Sequence, residues 1–332
     1  MTRANYMMRA AKLPKAAIDA FGILGNLPGL WHGSGFNLIA KPNRGDGVTG
    51  GVPFTLDVRS TEETLEFATI GGDVPNRGDS EKTIFFGAVR YLQTVFDCAD
   101  ETAIHKEDGM WLHLPGTAES ARETYVRQSV IPHGNSLVAQ STAFGAAPDF
   151  LVDHAGGPII RPVNSLPFPI KVPPVLDPIP DLNDLKFPVE TDPKYIGLYS
   201  TTKVPRSCLP PLDPSVTDEQ IIRDPTIILR AVSDPQDKAG LIRKTSLISV
   251  STHYPDPVKV GQLVQGIVNI PFIIKNANAI QLDAIFWIEQ VQKTKDNPDN
   301  VFLQLQYVQR VILDFQGLHW PHFSVANLVK TG

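Results

Sequence analysis

The chain has 332 residues, 42 % of them hydrophobic and 20 % charged, which is the make-up of a folded globular protein with a sizeable core. Its net charge of −5 leaves no basic footprint for nucleic acid. No run approaches the roughly eighteen apolar residues of a membrane helix, and Met1 to Lys15 lacks the apolar stretch of a signal peptide, so a cytoplasmic protein without a membrane span is expected.

In chain order, Pro14 to Leu24 predicts a short amphipathic helix with Ile18, Phe21 and Ile23 near one face. From Val52, Phe54, Leu56 and Val58 alternate with Pro53, Thr55, Asp57 and Arg59, so one face is buried and one wet. Thr61 to Ile70 repeats the theme, with Asp57, Glu63, Glu66 and Asp73 read as a solvated face. Thr83 to Phe96 is apolar on both faces, as in a strand covered on both sides. Met110 to Leu114, Thr124 to Ile131 and Ser136 to Ser141 follow as short strands. Gly71-Gly72, Asp108-Gly109, Pro115-Gly116 and His133-Gly134-Asn135 are the turn signals.

Of 29 prolines, 14 lie between Pro158 and Pro214. Proline cannot donate to a β-ladder and fixes its own φ, so this segment is read as irregular and extended. Its apolar residues, Val172, Val175, Leu176 and Ile179 among them, argue for a segment laid on the folded body. There it covers a barrel mouth or reaches a neighbouring copy of the chain.

Thr217 to Arg223 predicts a short helix, and Thr226 to Val232 and Thr245 to Ser251 predict strands. Ile280, Leu282, Ala284, Phe286 and Ile288 share one face of a longer strand. Val301, Leu303, Leu305, Tyr307, Val311 and Leu313 share one face of the next, with Gln304, Gln306, Arg310 and Asp314 opposite. Asn297-Pro298-Asp299-Asn300 turns between the two, and His322 to Val329 closes the chain.

The expected fold is therefore mainly β, one antiparallel calycin-like barrel of about ten to twelve strands, because closure removes the unpaired edges of so large a sheet. The barrel domain is discontinuous, 27–145 and 226–332, with an arm at 1–26 and the proline-rich insertion at 146–225. Two cysteines, Cys98 and Cys208, are expected as reduced thiols, as the cytosol keeps them, with one bridge between them as the alternative.

Gly29-Leu30-Trp31-His32-Gly33-Ser34-Gly35, followed by Pro42, resembles the opening of nitrobindin-type heme-binding β-barrels. Glu107-Asp108-Gly109-Met110-Trp111 resembles their mid-chain strand, and His322-Phe323-Ser324-Val325-Ala326-Asn327-Leu328 their last one. Ile104 to Leu114, Val130 to Gln140 and Ala279 to Leu328 also look like larger bacterial and fungal heme-binding proteins. The resemblance covers about two thirds of the chain and misses the proline-rich segment. It implies heme as cofactor and His322 as the proximal iron ligand. This chain departs from the pattern by Trp320-Pro321 just before that histidine and by His319 three residues earlier, which leaves either histidine, or neither, as the ligand. Trp31 would plug the barrel floor, with His32, Gly33 and Gly35 beside the ligand.

Other residues compete for the interior. Arg90, Gln93, Arg127, Gln304 and Gln309 fall among apolar strand positions, where an inward arginine can pair with a ligand carboxylate. His105, Glu107 and His113 share parity on one strand. His133 belongs to a hairpin turn. No Gly-x-Ser-x-Gly elbow, phosphate loop or dinucleotide fingerprint occurs. The expected function is heme binding, with or without modest redox chemistry on peroxide or nitrogen oxides. The alternatives are a calycin-like carrier or non-heme enzyme for a small apolar ligand, and an assembly barrel filled by its own side chains.

Overall fold

The structure is a computed structural model that describes residues 20–42, 54–76, 84–115, 123–141, 155–169, 193–255, 263–315 and 318–331. A 3-10 turn at Gly22–Asn26 precedes β1 (Gly29–Pro42), β2 (Phe54–Asn76), β3 (Ile84–Asp97), β4 (Ala103–Leu114), β5 (Thr124–Ile131) and β6 (Asn135–Gln140). Then come β7 (Phe168–Pro169), α1 (Pro193–Thr201), α2 (Asp218–Arg223), α3 (Ile227–Lys238), β8 (Ile242–Ser251) and β9 (His253–Pro255). The chain ends with β10 (Leu263–Gln265), β11 (Ile267–Asn269), α4 (Pro271–Ala277), β12 (Asn278–Gln292), β13 (Val301–Phe315) and β14 (Leu318–Lys330). Among the described residues no helix is long and apolar enough to cross a membrane.

Ten strands close an antiparallel barrel in the order β1-β2-β3-β4-β5-β6-β8-β12-β13-β14, with β14 returning to β1. The seam runs from Trp31 opposite Lys330 to Leu38 opposite Phe323. Gly33 and Gly35 make it possible. A Cβ on Gly33 would lie 2.0 Å from the Asn327 carbonyl oxygen, and one on Gly35 2.3 Å from that of Val325. Pro321 falls beyond the β1 pairing and short of the β7 pairing at Leu318 and His319, so its missing N–H breaks no ladder on that side.

Strand period two splits the core in two. Inside the barrel, Trp31, Leu65, Phe67, Tyr91, Trp111, Ile248, Phe286 and Leu328 pack as one cluster. On the outer wall, Phe36, Leu38, Phe54, Leu56, Trp287, Val308 and Phe323 pack against Ile160, Val163, Tyr199, Ile221, Ile222, Ile228 and Leu229 of the insertion. The insertion therefore covers a wall of the barrel. Residues 170–192 and most of the Pro14–Leu24 helix lie outside the described residues.

Several local expectations change. Thr226 to Val232 is not a strand but the first half of α3, since Ile228, Leu229 and Ser233 recur at helical spacing and bury together. The insertion also holds α1, with Pro193 at its first turn, where a missing N–H is harmless. Asp108-Gly109 is not a turn. Gly109 lies mid-strand, where a Cβ would meet the Gln128 carbonyl oxygen at 2.3 Å and the Tyr91 ring at 2.7 Å. Gly71-Gly72 is a register shift within one 23-residue β2, not its end. β3 is covered on one side only, with Arg90 and Leu92 exposed on the other. Cys98 and Cys208 are joined in a disulfide rather than reduced, tying the β3–β4 turn to the insertion. The helix at Asp218–Arg223 forms as expected, with Thr217 and Gln220 in a capping box.

The face of β13 expected to be wet is buried under α3. Gln306 Nε2 donates to the Leu229 carbonyl (2.9 Å), Gln304 exchanges hydrogen bonds with Gln236, and Arg310 Nη2 donates to Asp283 (2.7 Å). Glu289 of β12 lies in this layer, fully buried, with Gln304 Nε2 donating to it. Burial pushes its carboxyl up to about 8. The folded state thus holds the proton that the unfolded chain releases near 4.5, so this stabilisation is complete below that pH and is lost as the pH rises through 8. Glu289→Gln is expected to raise stability at pH 8.5 by about 2 kcal/mol and to do little at pH 4.5, as read from thermal melts at both values.

Candidate functional site

The inner cluster fills the barrel only at the Trp31 end. Trp31 is fully buried there, its Nε1 donating to the Leu27 carbonyl (2.7 Å) and Lys330 Nζ lying 5.6 Å from its ring. Toward the other end the interior opens into a cavity of about 720 Å³. Apolar side chains such as Ile39, Val95, Ile104, Leu137, Val311 and Leu313 line its walls. Ile273 and Ala277 of α4 line it at the mouth, together with Lys41, Asp57, Arg59 and Asp100.

His322 of β14 projects into this cavity. Asn37 Nδ2, from the neighbouring β1, donates to His322 Nε2 (3.1 Å) and to Ser324 Oγ (2.9 Å). An amide nitrogen is only a donor, so Nε2 accepts and the ring proton sits on Nδ1. Burial, reinforced by His105, His133 and Lys41, pushes His322 down to about 3, with Asp57 opposing. The side chain is therefore a neutral imidazole at any ordinary pH. His105 and His133 also line the cavity, their rings 5.4 Å apart.

The inner end of the cavity is polar. Tyr307 Oη donates to Glu63 Oε2 (2.7 Å), and Gln93 Nε2 donates to Glu63 Oε2 (3.1 Å) and Tyr307 Oη (3.0 Å). Behind them Arg127 donates from Nε to Tyr91 Oη (2.9 Å), from Nη2 to Glu107 Oε1 (2.7 Å) and from Nη1 to Gln309 Oε1 (2.7 Å). Tyr91 Oη also donates to Glu107, and His105 Nε2 lies 3.3 Å from its other oxygen. Burial alone would raise Glu107. Arg127, with the bonds from His105 and Tyr91, overcomes it and holds the carboxylate well below the usual range. Glu63 has no arginine beside it, and burial raises it despite Tyr307, Gln93 and the charge of His105.

Of the residues singled out in the sequence, His322 lines the cavity. Trp31, Gly33 and Gly35 point inward deeper in the barrel, and the space beside the two glycines is taken by the β14 backbone. His319, at an odd offset from His322, is on the opposite face of β14, opposite Asp314 and Phe168. His32 and Arg90 lie outside the cavity expected of them. His32 pairs with Glu62 (2.8 Å) and Arg90 with Asp108 (2.6 Å) on the exposed outer wall, because even positions of these strands point out. Gln93, Arg127 and Gln309 face inward as expected, whereas Gln304 faces the insertion. His105, Glu107 and His113 do share the inner face, but His113 sits at the far end, Nδ1 to the Ala20 carbonyl (2.6 Å) and ring stacked on Tyr125. Glu63 and Tyr307 were not read as site residues. Among the described residues no group of three or more His, Cys, Asp or Glu side chains is arranged to hold a metal ion.

Ten antiparallel strands closed around an inner cavity make this a β-barrel with room for a ligand. No family model matches the chain, and no curated protein matches it. Among solved structures it is similar to Rv2717c from M. tuberculosis, at 13 % sequence identity and a TM-score of 0.39, covering 94 % of this chain and 98 % of that one.

Proposed function

We propose that the protein is a ligand-binding barrel whose cavity takes heme, with His322 as the iron ligand. The observation that carries this reading is a neutral imidazole projecting into an apolar-walled cavity of about 720 Å³. The donor chemistry fits, since a neutral imidazole is what heme iron binds. His322 Nε2 would exchange its hydrogen bond from Asn37 for the metal, and Asn37 would keep its bond to Ser324. Lys41 and Arg59 line the mouth, paired with Asp57 and, for Arg59, also with Asp97, and they would have to exchange those partners to reach the heme carboxylates. Bound heme supplies an iron centre for reversible binding, or for modest redox chemistry with peroxide or nitrogen oxides. The barrel's part is to keep His322 neutral, to fix its tautomer and to exclude water. Titration of the purified protein with hemin should give a saturable Soret band. His322→Ala should weaken hemin binding at least about tenfold, the equivalent of 1.4 kcal/mol. An unchanged band and affinity in that variant would sink the reading.

The polar inner end supports a second reading, a carrier for a lipophilic metabolite. A porphyrin edge of methyl and vinyl groups offers nothing to Gln93 or Gln309, whereas a mostly apolar molecule with one polar end does. Solvent extraction of the purified protein followed by mass spectrometry separates the two. A copurified apolar molecule without iron favours the carrier.

A further inference from the structure

Two amides close the inner end of the cavity, each held by hydrogen bonds to its neighbours. Arg127 is a donor only, so the Gln309 amide must turn its oxygen toward Nη1, which leaves its NH₂ group for the cavity it lines. Arg127 is itself fixed by Glu107 and Tyr91. Gln93 is held the other way round, its NH₂ donating to Glu63 and to Tyr307, which leaves its carbonyl oxygen. Among the described residues neither the Gln309 NH₂ nor the Gln93 oxygen has another hydrogen-bond partner. Arg127 is matched by Glu107, and burial raises the Glu63 carboxyl.

We propose that Gln309 and Gln93 recognise the inner end of the cavity's ligand, and that this ligand is an uncharged, largely apolar molecule ending in an adjacent carbonyl and N–H, as in an amide or lactam. The ligand carbonyl accepts from the Gln309 NH₂, and its N–H donates to the Gln93 oxygen. A hydrocarbon in the same place leaves both amides dry and unpaired, which is how a polar site rejects an isostere lacking the polar group. This inference rests on the carrier reading above.

The test compares phenanthridinone, a flat lactam, with phenanthrene, its hydrocarbon counterpart, by isothermal titration calorimetry on the full chain. The native protein should bind the lactam at least about tenfold tighter. Gln309→Met keeps the side-chain volume, and Gln309→Glu keeps the contact with Arg127 while removing the NH₂. Both should bring the lactam-to-hydrocarbon ratio below about threefold. Equal affinities in the native protein, or a ratio that survives both variants, overturn the assignment of Gln309 and Gln93. Binding of neither probe overturns the carrier reading itself, and hemin binding reports separately on the first reading.

Discussion

Arg127→Met is expected to destabilise the fold by about 3–5 kcal/mol, the cost of leaving one partner of a buried ion pair without the other. Glu107 is almost fully buried, and among the described residues Arg127 is the arginine or lysine at hydrogen-bond distance from it. The guanidinium also lies 5.5 Å from the ring centres of both Tyr91 and Phe286, so packing is lost with the charge. Urea denaturation should show the loss at pH 7. Without Arg127, burial raises the Glu107 carboxyl above its unfolded value, so the variant should be least impaired at acidic pH, where the group is protonated, and worsen as the pH rises. Removing both charges with Arg127→Met and Glu107→Leu should recover most of the loss. A single variant as stable as the native protein would show that the network is not desolvated.

The second large effect is expected at the seam. Gly33→Val should abolish folding or cost more than about 4 kcal/mol, because its Cβ would fall on the Asn327 carbonyl oxygen and the β14 backbone cannot retreat without opening the barrel. Gly197→Ala is the control. A Cβ at this position in α1 meets nothing within 4 Å, so the change should be neutral or gain up to about 1 kcal/mol. Circular dichroism and denaturation midpoints of the two proteins check both statements.

How much of this was legible in the sequence differs from strand to strand. The β12–β13 hairpin and its Asn297–Asn300 turn could be read directly, because one apolar face runs from Ile280 to Ile288 on the first arm and from Val301 to Phe315, interrupted at Gln309, on the second. β2 misled in an informative way. Phe54 and Leu56 alternate with Asp57 and Arg59, and the polar set was read as the wet face. In the fold the apolar set packs outward against the insertion, and Asp57, Arg59 and Glu63 point into the cavity. The signal was present. Leu65 and Phe67 have the parity of Glu63, and a strand whose alternation changes sign along its length has both faces covered. The same blindness hid the burial of Gln304, Gln306 and Arg310, since no period within β13 reports that α3 lies on it. His322 was found through resemblance, whereas Glu63 and Tyr307 meet across 244 residues of chain and have no local signature.

The pairing of Trp31 with Lys330 also sets an order of events. Strand β1 acquires β2 within a few dozen residues of synthesis, but its other edge finds its partner only when β14, the final strand, has been made. Until then the nascent sheet has an open side, and the closing contact is among the most distant in the chain. Barrel closure is thus a late and slow step, and a ribosome-bound or truncated chain lacking β14 would present β1 as a ready template for another molecule's strand.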